Sequence, residues 1–236
     1  MARYILIHSP LLGPFSWSAA AAELTRLGHA VETPALPGLD ALAEGADGGF
    51  YAAFAAKVAA QLADGEPGIL VAHSGAGPLL PAIAARLGGR AAGAIFVDAL
   101  LPHPGRSWFD TAPLPLRDEL RTGALEGWLP AWHEWWPPGA LERLVPEAQA
   151  REALIAELSP IPAAYFEEPA PAAALDVPAA CLRLSGAYDA EAAQAQDRGW
   201  PVRRLALDHL AILTRPEPVA LALQALAGEL PAAAGS

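Results

Sequence analysis

Short apolar runs and longer stretches of helical spacing alternate along this chain. Residues 4–8 form a continuous apolar run, the pattern of a strand buried on both faces. Residues 16–27 put Trp17, Ala20, Leu24 and Leu27 on one side of a helix, with Ser16 placed to cap its start and Gly28 to end it. A short strand over 30–33 is stopped by Pro34 and Pro37. A helix over 50–62, a strand over 68–72, a helix over 78–87 and a strand over 92–97 follow.

The alternation breaks after Asp98. Residues 99–177 contain no buried strand and are rich in proline. They also hold Trp108, Trp128, Trp132, Trp135 and Trp136, five of the chain's 7 tryptophans. Glu142 opens a stretch of helical spacing that runs to Leu158, and the Pro-Ala run from Pro169 to Pro178 has the composition of a return linker. Alternation then resumes, with a strand over 180–184, a helix over 190–198, a strand over 202–207 and a helix over 218–226. The pattern predicts an α/β fold, a mainly parallel sheet with helices on both faces. Residues 1–98 and 178–236 would form the core domain, and 99–177 a helical lid inserted before the last two strands. Right-handed crossovers place the C-terminal ends of all strands on one rim, where ligand sites of such sheets lie.

Composition narrows the class. With 53% apolar and 17% charged residues among 236, the chain can bury a full core. Its 15 basic and 26 acidic residues give a net charge of −11, and Lys57 is its only lysine. Such a surface offers nothing to neutralise phosphates and repels anionic membranes, so neither nucleic acid nor a membrane is expected as a partner. No basic start with a following apolar stretch marks a signal peptide, and a cytoplasmic location is expected. Cys181 is the only cysteine, which excludes an internal disulfide and a Cys-rich metal site. A homo-oligomer stays open.

The segment Gly68-Ile-Leu-Val-Ala-His-Ser-Gly-Ala-Gly-Pro-Leu-Leu-Pro81 runs an apolar strand straight into Ser74 and then into a helix. It resembles the nucleophile elbow of the α/β-hydrolases, where small residues stand two positions either side of a strained, exposed serine. Ala72 and Ala76 occupy the places usual for glycine. The segment Leu205-Ala-Leu-Asp-His-Leu-Ala-Ile-Leu-Thr-Arg-Pro-Glu-Pro218 resembles the family's histidine loop. Leu184-Ser-Gly-Ala-Tyr-Asp189 resembles the end of its penultimate strand, where the acid follows a glycine by three residues. The resemblance covers nearly the whole chain outside 99–177, although the family's first two strands are absent. It implies Ser74 as nucleophile, His209 as base and Asp189 as the acid that orients it, in the family's chain order. Asp98 is a rival acid: it ends the strand before the insertion, where some members carry theirs.

Leu6-Ile-His-Ser-Pro-Leu-Leu-Gly-Pro-Phe-Ser-Trp17 partly resembles the family's oxyanion loop. His8 and Trp17 match. Ser9 replaces a glycine, and Pro10 stands where a backbone N–H would help bind the oxyanion, which proline cannot supply. The Gly75 amide would then be joined by the Leu11 amide or by the Ser9 hydroxyl. Trp132 and Trp135 would line an apolar pocket or pack the insertion onto the sheet. No metal site and no cofactor are implied, since there is no ligand spacing, phosphate loop or dinucleotide fingerprint.

The resulting expectation is a serine hydrolase acting on an ester, thioester or lactone with an apolar portion, its partner a small apolar molecule. Two alternatives stay open: a lyase or cyclase that uses the same residues as acid and base, and a non-catalytic binder of small molecules.

Overall fold

The computed structural model describes residues 1–43, 49–62 and 65–231. Its main sheet has six strands: β1 (Arg3–Ile7), β2 (Ala30–Glu32), β3 (Gly68–Ser74), β4 (Ala91–Ala99), β7 (Ala179–Arg183) and β8 (Val202–Arg204). Their order is β2-β1-β3-β4-β7-β8 and every pairing is parallel. Two further short strands, β5 (Trp128–Leu129) and β6 (Ile161–Pro162), pair antiparallel with each other in a separate sheet.

The central strands read as unbroken apolar runs because they are covered on both sides. Their alternate residues feed two cores. Ile5, Ile7, Leu70, Ala72, Ala94 and Phe96 face one way, into a core shared with α2 (Leu39–Ala43), α3 (Gly49–Gln61) and α4 (Leu80–Leu87). Tyr4, Leu6, Ile69, Val71, Ile95 and Val97 face the other, against α1 (Ser18–Arg26), α11 (Ala211–Thr214) and α12 (Pro216–Glu229). The edge strand β8 is shorter than its apolar pattern predicts: pairing stops at Arg204, and Arg203 and Arg204 are exposed. Ser16 does not cap α1. It lies in a 3₁₀ turn before that helix, and its hydroxyl donates to the Gly13 carbonyl. Among the described residues no helix is long and apolar enough to cross a membrane.

Between β4 and β7 the chain forms α5 (Trp108–Thr111), α6 (Leu114–Gly123), α7 (Ala140–Leu144), α8 (Ala148–Ile155) and α9 (Ala163–Glu167). Two carboxylates fasten this segment to the rest. Glu168 accepts from the Phe50 and Tyr51 amides at 2.7 and 3.1 Å, capping the start of α3. Glu157 accepts from the Phe15 amide at 2.8 Å, in the loop after β1.

The turn from β3 into α4 is set by backbone contact. Ser74 takes φ 57°, and the Ala76 amide closes the turn on the His73 carbonyl at 3.0 Å. Ala76 fits there fully buried. The position that admits no side chain is the next one: a Cβ on Gly77 would stand 1.8 Å from the Leu100 carbonyl oxygen. Gly77→Ala is therefore expected to destabilise the protein by about 3 kcal/mol, at the upper end of overpacking costs, because the obstacle is backbone. Urea denaturation measures this. An unchanged midpoint would contradict the contact.

Candidate active site

Ser74 and Asp98 end the neighbouring strands β3 and β4, and both have left-handed backbones, φ 57° and φ 41°. A non-glycine residue in that region costs roughly 1 kcal/mol or more, so two such turns side by side mark a place where the chain is bent to aim side chains. They aim at His209, in the loop after β8. His209 Nδ1 lies 3.0 Å from Asp98 Oδ2, and its Nε2 lies 3.1 Å from Ser74 Oγ. A carboxylate can only accept, so Nδ1 carries the ring proton and Nε2 is left to accept from the serine hydroxyl.

Asp98 is 1% exposed and fully engaged. Its Oδ1 accepts from the Leu184 and Ser185 amides at 2.7 and 2.9 Å, and its Oδ2 from the Ser185 hydroxyl at 2.6 Å, besides the imidazole. Burial, the largest single influence, raises its pKa. The hydrogen bond and charge of His209 and the two bonds from Ser185 together outweigh burial, and the net pKa lies below the ordinary aspartate value.

The expectation that Asp189 would face His209 is corrected. Asp189 is exposed at the start of α10 (Asp189–Asp197), and its carboxylate accepts from Arg183 Nε at 2.6 Å. A 3₁₀ turn over Gly186–Tyr188 brings Tyr188 to the histidine instead. The phenol ring stacks on the imidazole, 5.1 Å between centroids and 6° from parallel, and its hydroxyl lies 3.3 Å from Ser74 Oγ. Burial pushes the Tyr188 pKa well up, so the phenol stays neutral. Tyr188 was not among the predicted site residues. Its signal was its place in the same short segment as Asp189, within the loop after β7.

Two buried neutral histidines brace this arrangement. His73 Nε2–H donates to the His209 carbonyl at 2.9 Å, and its ring lies 4.4 Å from the His209 ring. Burial first, then the neighbouring His209, lowers the His73 pKa to about 3. His8 donates from Nδ1 to the Ser9 carbonyl at 2.8 Å and accepts at Nε2 from the Leu36 amide at 3.0 Å. Burial lowers its pKa to about 4. His8 thus ties the loop after β1 to the segment after β2, and both its ring nitrogens are used by backbone.

In that loop, the Leu11 amide donates to Ser9 Oγ at 3.2 Å. Of the two candidate donors, Leu11 is therefore already spent, and the Ser9 hydroxyl proton is the free one. Ser9 Oγ would lie 3.3 Å from a Cβ on Gly75, which places it beside the residue that follows the nucleophile. Trp132 stacks edge-on with Trp136, and Trp135 packs against Phe166 while its Nε1–H donates to the Pro130 carbonyl at 2.8 Å. Both tryptophans are thus engaged in packing within the segment after β4. Among the described residues no three His, Cys, Asp or Glu side chains gather as a metal site requires.

A parallel sheet with a serine elbow, a histidine loop and a buried strand-end carboxylate on one rim defines a class, and comparison with known proteins agrees with it. No protein-family model and no curated protein matches the sequence. Solved structures match it well. An extracellular α/β-hydrolase from a Paenibacillus species, which shares structural and functional homology with tobacco salicylic acid binding protein 2, superposes with TM-score 0.75 at 22% identity, over 96% of this chain and 99% of its own. A pyrethroid hydrolase from Sphingobium faniae JZ-2 gives 0.71 at 22% identity, over 96% and 97%. A tomato methylketone synthase I variant complexed with beta-ketoheptanoate gives 0.67 at 15%, over 97% and 98%. The chain has the α/β-hydrolase fold.

The Asp98 contacts generate a pH-dependent expectation. A carboxyl whose folded pKa lies below its unfolded value, about 3.9, stabilises the fold above that value and loses the contribution as pH falls through the folded pKa. Asp98→Asn should destabilise the protein by roughly 2–3 kcal/mol at pH 7, since several buried donors lose a charged acceptor. The gap between variant and wild type should narrow as pH drops below about 4. Denaturation curves across pH measure it. A gap that stays constant into the acid range would mean that the ionised carboxylate contributes nothing.

Proposed function

We propose that this protein is a serine hydrolase that cleaves a carboxylic ester, thioester or lactone with an apolar portion, with Ser74 as nucleophile, His209 as acid–base and Asp98 as the orienting acid. The observation that carries this reading is the continuous chain Ser74 Oγ–His209–Asp98, at 3.1 and 3.0 Å, at the ends of adjacent strands. Ser74 Oγ attacks the carbonyl carbon while its proton passes to His209 Nε2. The imidazolium so formed is stabilised by the Asp98 carboxylate. The carbonyl oxygen, now negative, takes hydrogen bonds from the Gly75 amide and the Ser9 hydroxyl. Collapse of the intermediate breaks the bond to the leaving oxygen or sulfur, which takes the proton from His209. Water, deprotonated by the same nitrogen, then hydrolyses the acyl-serine and frees Ser74.

Residues 99–177 are proposed to act as a cap over this rim, joined to the core formed by residues 1–98 and 178–236. The anchoring of that segment by Glu157 and Glu168 supports this division. One observation favours a second reading, non-hydrolytic acid–base chemistry with the same residues. A hydroxyl, not an amide, stands beside Gly75, and a hydroxyl must give up a rotor and a water contact before it holds a developing charge.

A fluorophosphonate probe separates the possibilities. Labelling is expected at Ser74, located by mass spectrometry, and should vanish in Ser74→Ala. Labelling that persists in that variant would end the hydrolase reading. On nitrophenyl esters, Asp98→Asn should lower kcat about a hundredfold or more, through loss of the histidine's orientation, while Asp189→Asn stays near wild type. The reverse ranking would restore Asp189 as the acid. Ser9→Ala should reduce turnover with the fold intact. Fast turnover indifferent to Ser9→Ala would show that a backbone amide fills the place after all.

A further inference from the structure

Tyr165, in the segment between β4 and β7, brings its hydroxyl to the space beside Gly75. It lies on α9, and its ring is held at centroid distances of 5.7 Å from Phe50, 6.3 Å from Tyr51, 6.1 Å from Phe54 and 5.2 Å from Phe166. The residue is 5% exposed. Four rings fix the direction of its Cζ–O bond, so only the hydroxyl rotor is free. That hydroxyl lies 3.9 Å from the point where a Gly75 Cβ would stand, and Ser9 Oγ lies 3.3 Å from the same point. No described residue hydrogen-bonds to the Tyr165 hydroxyl, and its oxygen is not among the fully enclosed polar atoms that lack a partner.

A phenol whose ring is fixed by aromatic neighbours and whose hydroxyl is committed to no other residue keeps its proton available for an oxygen that arrives beside Gly75. Gly75 is the residue after the nucleophile, and its lack of a side chain leaves the room such an oxygen would fill. Burial first, then the nearby Tyr51 and Glu168, holds the Tyr165 pKa well above the usual value, so the proton is present at neutral pH. A rigid donor of this kind is preorganised in a way that the Ser9 hydroxyl alone is not.

We propose that the Tyr165 hydroxyl donates a hydrogen bond to the substrate oxygen lodged beside Gly75, joining Ser9 in the place of the backbone amide that Pro10 cannot supply. The inference rests on the reading of Ser74 as nucleophile. It makes the segment after β4 a contributor of a catalytic group, and it selects substrates whose reacting carbonyl oxygen can reach both hydroxyls.

Tyr165→Phe keeps the ring and removes only the oxygen. The test measures kcat and KM on a nitrophenyl ester, the affinity of a trifluoromethyl ketone (whose Ser74 adduct carries an oxyanion), and the thermal midpoint. Expected are a fall in kcat of about tenfold to a hundredfold with KM nearly unchanged, and a matching loss of ketone affinity. The thermal midpoint should stay equal or rise, because the lost hydroxyl had no partner in the protein. Unchanged kcat and ketone affinity, in a protein whose wild type is labelled at Ser74 by fluorophosphonate, would overturn this inference alone. A variant that melts lower would show that the hydroxyl is held by the protein, and would also overturn it. A wild type that neither labels nor turns over ester would overturn the nucleophile reading, and this inference with it.

Discussion

The Asp98 carboxylate is the interaction on which the rest of this site depends. It closes the end of β4 in a left-handed turn, collects the Leu184 and Ser185 amides at the end of β7, and holds the His209 ring. One buried charge thus ties together two adjacent strand ends and the loop after β8. Without it, two amides, a hydroxyl and a ring N–H would be left unpaired in an enclosed place, at a cost that no single surface ion pair approaches. Asp189 offers the contrast. It is exposed, paired with Arg183, and outside the chain of hydrogen bonds.

Around this anchor, position is enforced by neutral groups. His73 holds the His209 main chain, and His8 joins the loop after β1 to the segment after β2; burial keeps both uncharged at neutral pH. An additional positive charge here would compete with the imidazolium that a catalytic His209 must form, so uncharged braces suit the arrangement. Hydroxyl groups of Ser9 and Tyr165 stand near Gly75, and that of Tyr188 beside Ser74, next to a loop in which Pro10 has no amide to offer.

Much of this was readable in the chain. The central strands β1, β3 and β4 are unmistakable because burial on both faces demands unbroken apolar runs; Ser74 ends β3, and His209 lies in the loop after edge strand β8. Edge strand β8 reads longer in the sequence than it is, since Val202, Leu205 and Leu207 look like a strand whether or not a neighbour exists to pair with them. Spacing from Gly186 points to Asp189 but carries no information about which way the chain turns; the 3₁₀ turn spends those residues on presenting Tyr188 to His209, and Asp189 pairs with Arg183. A better signal was the single charge at the end of Ile95-Phe96-Val97-Asp98, since an aspartate concluding a wholly apolar strand must find partners inside. Tyr165 lies beyond any pattern along the chain: its meaning comes from the aromatic residues of α3, more than a hundred positions earlier.

Asp98 holds the His209 ring with its proton on Nδ1. Proton NMR observes that proton directly as a far-downfield ring N–H resonance. Such a resonance is expected in the wild type and in Asp189→Asn, and is expected to vanish in Asp98→Asn. A resonance that survives Asp98→Asn, or disappears in Asp189→Asn, would contradict it.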